Sequence, residues 1–426
     1  MNEAKARIAY RVKQLNLPQE PLLKTAGEIL APVLGAFVQW VLGQALAEGV
    51  SRLYFLARDG WFPYQMGRCL CQAWGLPLDC RYLYGSRYAW RLPLYHLDHA
   101  GAVRQLCGKL KYAHPENVLR QGGLSTQERE VVLAELGLEK TVPAKELAGK
   151  LLSSSTFTAC LDRHSRQAFP ALGGYLDQEG LLEPVSWAVV DSGWMGSTQE
   201  TLAEVLRCLG WKGTMRGYYA GLYRKPLAGE WNCFFFRPGK DWKMQRGMEP
   251  SFFEGVFAAP QGMTLGYDEI HGEFIPVFGS APVTAEISEA MGNVFRSYGE
   301  LLAGEGVPAD LFSRGKEEGL EVWKGLWQVM TRPTGEQAAA LGQMAFSHSP
   351  WDRETFPLAE PLTEEELKRN HLPARLVFGA PEKSSAWLPG SAALYGENPR
   401  KHFRGFDRVR WARTAAHVAR SWLRPG

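Results

Sequence analysis

Short apolar runs that stop at polar, glycine-bearing turns punctuate this chain, and two of them are organised alike. The run 52–57 is apolar after its first arginine and reads as a buried strand; Arg58, Asp59 and Gly60 follow, and then an amphipathic stretch from Trp61 to Trp74 that Gly75 ends. A further strand is predicted over 78–84, which makes a βαβ unit with the short links of a parallel sheet. The second unit has a strand over 185–190, a polar stretch Asp191–Ser197, a helix over 198–209 and a strand over 215–222. In that helix Leu202, Val205, Leu206 and Leu209 recur at helical spacing.

Around these units the pattern is mostly helical. Residues 30–48 read as an apolar helix ended by Gly49, and 92–184 as several helices, one starting at Ser125 with Glu128 three positions on, the arrangement of a capping box. Residues 231–280, rich in aromatics and glycine, read as strands and loops. The stretch 283–346 turns helical again, with Val322, Leu326, Val329 and Met330 on one face. The expected fold is therefore α/β, with a parallel, Rossmann-like sheet. Its core comprises 1–91 and 185–280, with a helical insertion at 92–184, a mainly helical region at 281–399 and a basic amphipathic tail at 400–426.

Charge changes this picture at one place only. The net charge of +3 hides a tail, 400–426, with eight Arg or Lys against one acid, Asp407. In that tail Trp411, Ala415, Val418 and Trp422 share a helical face. Such a helix docks on its own protein or makes peripheral contact with an anionic membrane, and both readings stay open here. The rest of the chain is acidic overall, which argues against nucleic-acid binding. The apolar helix at 30–48 contains Pro32, Gln39 and Gln44 and is expected to be buried, not membrane-spanning. No signal-peptide core follows the first charges, and seven scattered cysteines suit a reducing cytosol, so a cytoplasmic location is expected. Cys69-x-Cys71 and His96-x-x-His99 lack the spacing of a zinc site, and none is expected.

The candidate chemistry lies where the strands meet their turns. Ligands of open α/β sheets bind beyond the carboxyl ends of parallel strands, so Asp59 and Asp191 could share one crevice although 132 positions separate them. The stretch from Asp191 through Ser192, Gly193, Gly196 and Ser197 to Thr198 has the makings of a phosphate cradle: glycines for close approach, hydroxyls and amides at a helix start. The bland reading is that Ser197 and Glu200 form a capping box. Arg58, Asp59 and Gly60 offer a cation for phosphate and an acid for a hydroxyl, a proton or Mg²⁺, against a reading of Asp59 as a helix N-cap. Ser86 and Arg87 repeat the arrangement after the 78–84 strand, with Arg87 and, one turn on, Arg91 as candidate phosphate contacts, surface ion pairing being the favoured reading for Arg91. Glu249 and Glu254 put two acids in an aromatic stretch, as a general-base element or as caps. No G-x-S-x-G, G-x-x-x-x-G-K-[ST] or G-x-G-x-x-G motif is present.

Two resemblances meet at these residues. The run Pro32 to Gly60, Val189-Val190-Asp191-Ser192-Gly193-Trp194-Met195-Gly196-Ser197-Thr198-Gln199, the stretch from Phe253 to Tyr267 and Trp387-Leu388-Pro389-Gly390-Ser391 resemble a little-characterised bacterial family. That family is found beside glycosyltransferases in cell-surface polysaccharide gene clusters, often fused to haloacid-dehalogenase-like domains. No D-x-D-x-T nucleophile motif precedes the sheet here, so hydrolase activity is not implied. The order of strand, Arg-Asp-Gly loop, helix and strand, then Val190-Asp191 to Thr198, is similar to type I phosphoribosyltransferases, whose hallmark is two acids and then T-G-x-T. Asp191 matches the second acid, Gly196 the glycine and Thr198 the last threonine, while Val190 and Met195 depart from the pattern. The resemblance implies an enzyme acting on a phosphorylated sugar or nucleotide sugar in surface-polysaccharide synthesis. Asp191 and Asp59 would be catalytic or Mg²⁺ ligands, Arg58 and Arg87 would neutralise charge, and glycosyltransferases of the same pathway would be partners. The alternatives are a non-catalytic sugar-nucleotide-binding or scaffold module, and a phosphate-ester hydrolase.

Overall fold

A computed structural model describes residues 3–108, 111–227, 229–346, 356–379, 381 and 383–423, without the side chains of 346, 378 and 417–423. Helix α1 (Ala31–Ala47) leads into β1 (Arg52–Leu56), α2 (Trp61–Trp74) and β2 (Asp79–Leu83). After the insertion come α3 (Ser155–Gln178), β3 (Trp187–Trp194), α4 (Ser197–Cys208), β4 (Arg216–Leu222) and β5 (Glu230–Phe236). Then follow a short helix α5 (Pro250–Val256), an antiparallel hairpin (Thr264–Ile270 with Glu273–Phe278), two long helices α6 (Ala285–Gly304) and α7 (Leu311–Thr331), and the terminal helix α8 (Pro399–Leu423).

The five strands form one parallel sheet in the order β2-β1-β3-β4-β5. Four strands were expected; β5, with sequence EWNCFFF, adds a fifth from the aromatic region read as strands and loops. All five residues of β1 are buried, as a parallel strand covered on both faces requires. Alternate side chains serve the two faces. Leu53 and Phe55 join the core beneath α1, α2, α6 and α7, while Tyr54 and Leu56 join that beneath α3 and α4.

Helix α1 continues a helical run from Pro21, long and apolar enough to cross a membrane, but 83% of its most apolar window is buried inside the protein. Its tight seam with α7 depends on two glycines. A Cβ on Gly43 would lie 2.4 Å from the Phe312 nitrogen, and one on Gly315 2.4 Å from the Trp40 nitrogen. An apolar helix without a polar face belongs in such a core.

The segment following β2 has a hydrophobic cluster of its own, drawn wholly from residues between Leu92 and Leu161. The C-terminal half of α3 leaves that cluster: its Leu172, Tyr175 and Leu176 pack against the sheet. The expected capping box forms, with the Glu128 amide donating to the Ser125 hydroxyl and the Ser125 amide to the Glu128 carboxylate. Ser125→Ala should therefore cost about 1 kcal/mol, read as faster amide exchange in the helix Thr126–Leu136 with little change in the sheet.

Helix α8 docks on the protein through a face other than the expected one. Phe403, Phe406 and Val409 are buried, whereas Trp411 is 59% exposed and Ala415 is exposed. Arg410 pairs with Glu249 at 2.7 Å and with Asp407 at 2.9 Å, and Asp407 with Arg332 at 2.6 Å. The expected face also included Val418 and Trp422, whose side chains, like those of Arg420 and Arg424, lie outside the described residues.

Candidate functional site

In a sheet of this order the chain runs outward from β1 on one side and from β3 on the other, which opens a crevice at their carboxyl ends. Strand β1 stops at Leu56. The turn after it is closed by the Gly60 amide on the Leu56 carbonyl, 2.9 Å, and a Cβ at Gly60 would stand 2.3 Å from that oxygen. Gly60, not Asp59, occupies the N-cap position of α2. The Asp59 side chain is thus left for the crevice.

Strand β3 runs past the end of β1. Phe55 pairs with Val190, but Asp191, Gly193 and Trp194 pair with Tyr219, Gly221 and Leu222 of β4. The expected loop from Asp191 to Thr198 is therefore strand as far as Trp194, only Met195 and Gly196 turn, and Ser197 already begins α4. Gly193 adopts φ 99°, a value that only glycine takes readily. A Cβ there would also meet the Gly221 oxygen at 2.7 Å. Gly196, at φ 65°, caps α4 by backbone alone. The Ser197–Glu200 capping box does not form: Gly196 holds the N-cap position, Ser197 is already the first residue of α4, and Glu200 is taken by Arg224 at 2.7 and 2.8 Å and by the Leu227 amide.

A cavity of about 430 Å³ occupies the crevice. Of the residues expected there, Arg58, Asp59, Ser86, Arg87, Asp191, Ser192, Gly193, Ser197 and Thr198 line it. Gly60 instead borders a narrow void below, beside Val33 and Phe37, and Gly196 backs onto Pro226. Ser86 is fully engaged in the fold: its hydroxyl donates to the Thr264 carbonyl at 2.7 Å and accepts from the Ala89 amide at 3.0 Å.

Three carboxylates crowd this cavity. Asp191 is 8% exposed and hydrogen-bonded by the Ser192 and Gly193 amides. Burial first, and then the charges of Asp59 and Glu254, push its carboxyl well above the usual range. Asp59 is raised by burial against the pull of a Ser192 hydrogen bond, and its Oδ2 is buried without a partner. Glu254, on α5, lines the cavity and keeps its side chain open to the solvent there; crowding by the surrounding protein first, and then Asp59, push its carboxyl up to about 7, with Arg87 opposing. The Trp194 indole N–H lies near enough to Glu254 to favour its charged form, without completing a hydrogen bond of ordinary geometry. Crowding of this kind favours the sharing of protons within the cluster.

Three arginines face the same space. Arg58, Arg87 and Arg91 form no ion pair with any described residue; Arg58 and Arg87 reach Asp59 and Glu254 only at longer range, and Arg91 reaches Glu200. Surface ion pairing is the favoured reading of Arg91 from sequence, yet its Nε is buried without a partner, and burial followed by Arg87 repulsion holds its pKa below the ordinary value. Cationic groups kept apart from the carboxylates beside them form a ready site for a ligand's anionic oxygens.

Glu254 belongs to this site more fully than its sequence suggested. The available signal was an acid flanked by Phe252, Phe253, Gly255 and Val256, all buried, on a short helix. Tyr95, Gln105 and Gln121 reach the cavity from the insertion, and no local pattern marked them. Among the described residues no group of three or more His, Cys, Asp or Glu is disposed to hold a metal ion. Comparison with protein-family models and with curated proteins finds no match for this chain.

Proposed function

We propose that this protein is an enzyme acting on a phosphorylated sugar or nucleotide sugar, bound in the crevice between β1 and β3. The observation that carries the reading is the set of three unpaired arginines facing three crowded carboxylates in one cavity. A volume of about 430 Å³ suits a small organic phosphate. Arg58, Arg87 and Arg91 would take the phosphate oxygens, with the Ser197 and Thr198 hydroxyls beside them. Glu254, whose carboxyl is raised above the usual range, would give or accept the proton. Asp191 and Asp59 would bind sugar hydroxyls, or jointly with the phosphate they would hold Mg²⁺.

The unpartnered Asp59 Oδ2 beside Asp191 fits a divalent cation, and two carboxylates plus phosphate oxygens make an ordinary Mg²⁺ set. Bound there, Mg²⁺ would offset the charge that the acids and the phosphate bring together. The phosphoribosyltransferase-like reading of the core, the likeness to the polysaccharide-cluster family and the glycosyltransferase partners rest on the resemblances described above, and the cytoplasmic setting on the first residues and the cysteines of the sequence.

Thermal-shift titration of the full chain against phosphoribosyl pyrophosphate, sugar phosphates and nucleotide sugars, with and without Mg²⁺, tests this. A ligand at a hundred times its Kd adds about 2.7 kcal/mol, and Arg87→Ala should remove the part of the shift that binding in the β1–β3 crevice contributes. If no phosphorylated ligand stabilises the folded protein, the enzyme reading gives way to that of a scaffold module.

A further inference from the structure

A second and larger cavity, about 620 Å³, lies between α8 and the segment leading into α5. It is walled off from the first by α5, which turns Ser251 to one cavity and Glu254 to the other, and by Trp194 and Tyr223, whose rings stand 6.3 Å apart. Four arginines line it, Arg246, Arg375, Arg410 and Arg413, against one acid, Glu249.

Their known contacts leave positive charge over. Arg410 holds Glu249 and Asp407, but its Nη2 is buried without a partner. Among the described residues the Arg375 side chain bonds only to Asn370, through the carbonyl at 3.1 Å and the side-chain oxygen at 2.6 Å, both uncharged. Burial and then Arg413 repulsion hold Arg375 below its ordinary pKa. Arg413 has no ion pair among the described residues, and Arg246 only stacks on Trp242, 5.5 Å from the ring centre. Stapling α8 to the protein explains the Arg410–Glu249 pair. It does not explain mutually repelling guanidiniums around a concave space.

We propose that this cavity is a second anion site, which takes a phosphate-bearing molecule. A single carboxylate brings one charge and two oxygens; guanidiniums converging from three directions match the more numerous oxygens and higher charge of a phosphate or diphosphate. Leu388, Pro389 and Phe406 beside them would accept an apolar portion of the same ligand. The site is independent of the crevice between β1 and β3 and stands whether or not that crevice is catalytic.

The test uses the full chain carrying Arg87→Ala and Arg91→Ala, so that the first cavity no longer competes. Calorimetric titration with inorganic pyrophosphate should show one site per chain. Adding Arg246→Glu and Arg413→Glu, which remove no ion pair of the fold, should weaken it about tenfold or more, with an unchanged melting curve in the absence of ligand. In parallel, co-sedimentation with phosphatidylglycerol vesicles separates the sources of phosphate. Loss of vesicle binding on the same two substitutions, without affinity for free pyrophosphate, would mean that the phosphate is a lipid headgroup. If neither pyrophosphate nor vesicle binding depends on Arg246 and Arg413, the proposal is overturned.

Discussion

Asp191→Asn is expected to abolish turnover of the phosphorylated substrate, by about 10²–10⁴-fold, while making the unliganded protein more stable. Both effects have one cause. The carboxylate is buried beside two others, so its charge is costly in the folded state and is retained for the ligand it serves. Asparagine keeps an oxygen for the Ser192 and Gly193 amides and removes the repulsion, a gain of about 1–2 kcal/mol.

The pH dependence follows from the same cluster. Asp59, Asp191 and Glu254 all bind their protons more tightly folded than unfolded. Their contribution to stability is therefore complete below the unfolded carboxylate range, around 4, and is lost as pH rises through the folded values, which for Glu254 is about 7. The melting temperature of the unliganded protein should fall between pH 5 and pH 8, and fall less in Asp191→Asn. A variant that keeps full activity and the wild-type pH profile would remove Asp191 from the mechanism.

Glu318→Ala should destabilise the protein by about 3–5 kcal/mol, measured by urea unfolding. Glu318, on α7, is fully buried and takes a bidentate pair from Arg11 of the N-terminal helix Glu3–Gln14, at 2.7 and 2.9 Å. Gln39 of α1 donates to it at 3.2 Å and Arg7 at 3.2 Å, while Arg11 also holds Glu305 at 2.6 Å and the Tyr298 hydroxyl at 3.1 Å. Burial alone would raise the Glu318 carboxyl, but these bonds outweigh it and hold it low. Its stabilisation is thus present above the unfolded carboxylate range and disappears as acid titrates the folded group.

Removing Glu318 strands the Arg11 guanidinium, 1% exposed, with only Glu305 for charge. The paired replacement Arg11→Met with Glu318→Leu should recover most of the loss, since an apolar pair leaves no buried charge behind. Failure of the double variant to recover would mean that the network fixes the helix position, over and above satisfying charge.

The two βαβ units, and the meeting of Asp59 with the 191 region, were readable in the chain because both depend on local signals: apolar runs, abrupt turns, and a rule about where parallel strands open. What escaped was decided by partners far away in sequence. Nothing local distinguishes Asp191-Ser192-Gly193-Trp194 as strand rather than loop; β4 supplies the hydrogen bonds that extend it. The Ser197–Glu200 box looked complete until Gly196 took the N-cap position and Arg224 the glutamate. Arg91 looked like a surface residue because a single arginine after a helix start carries no sign of burial, and Glu254 enters the site only because α5 is laid across the strand ends.

The helical segment after β2 packs around a cluster of its own yet lends Tyr95, Gln105 and Gln121 to the crevice. Substitutions within its separate interior should combine nearly additively with those in the sheet. The charged groups come mainly from turns at the sheet, and this segment adds neutral side chains around them. Exchange of the segment between homologues is thus a route by which selection could retune which molecule is accepted while the chemistry beneath stays the same.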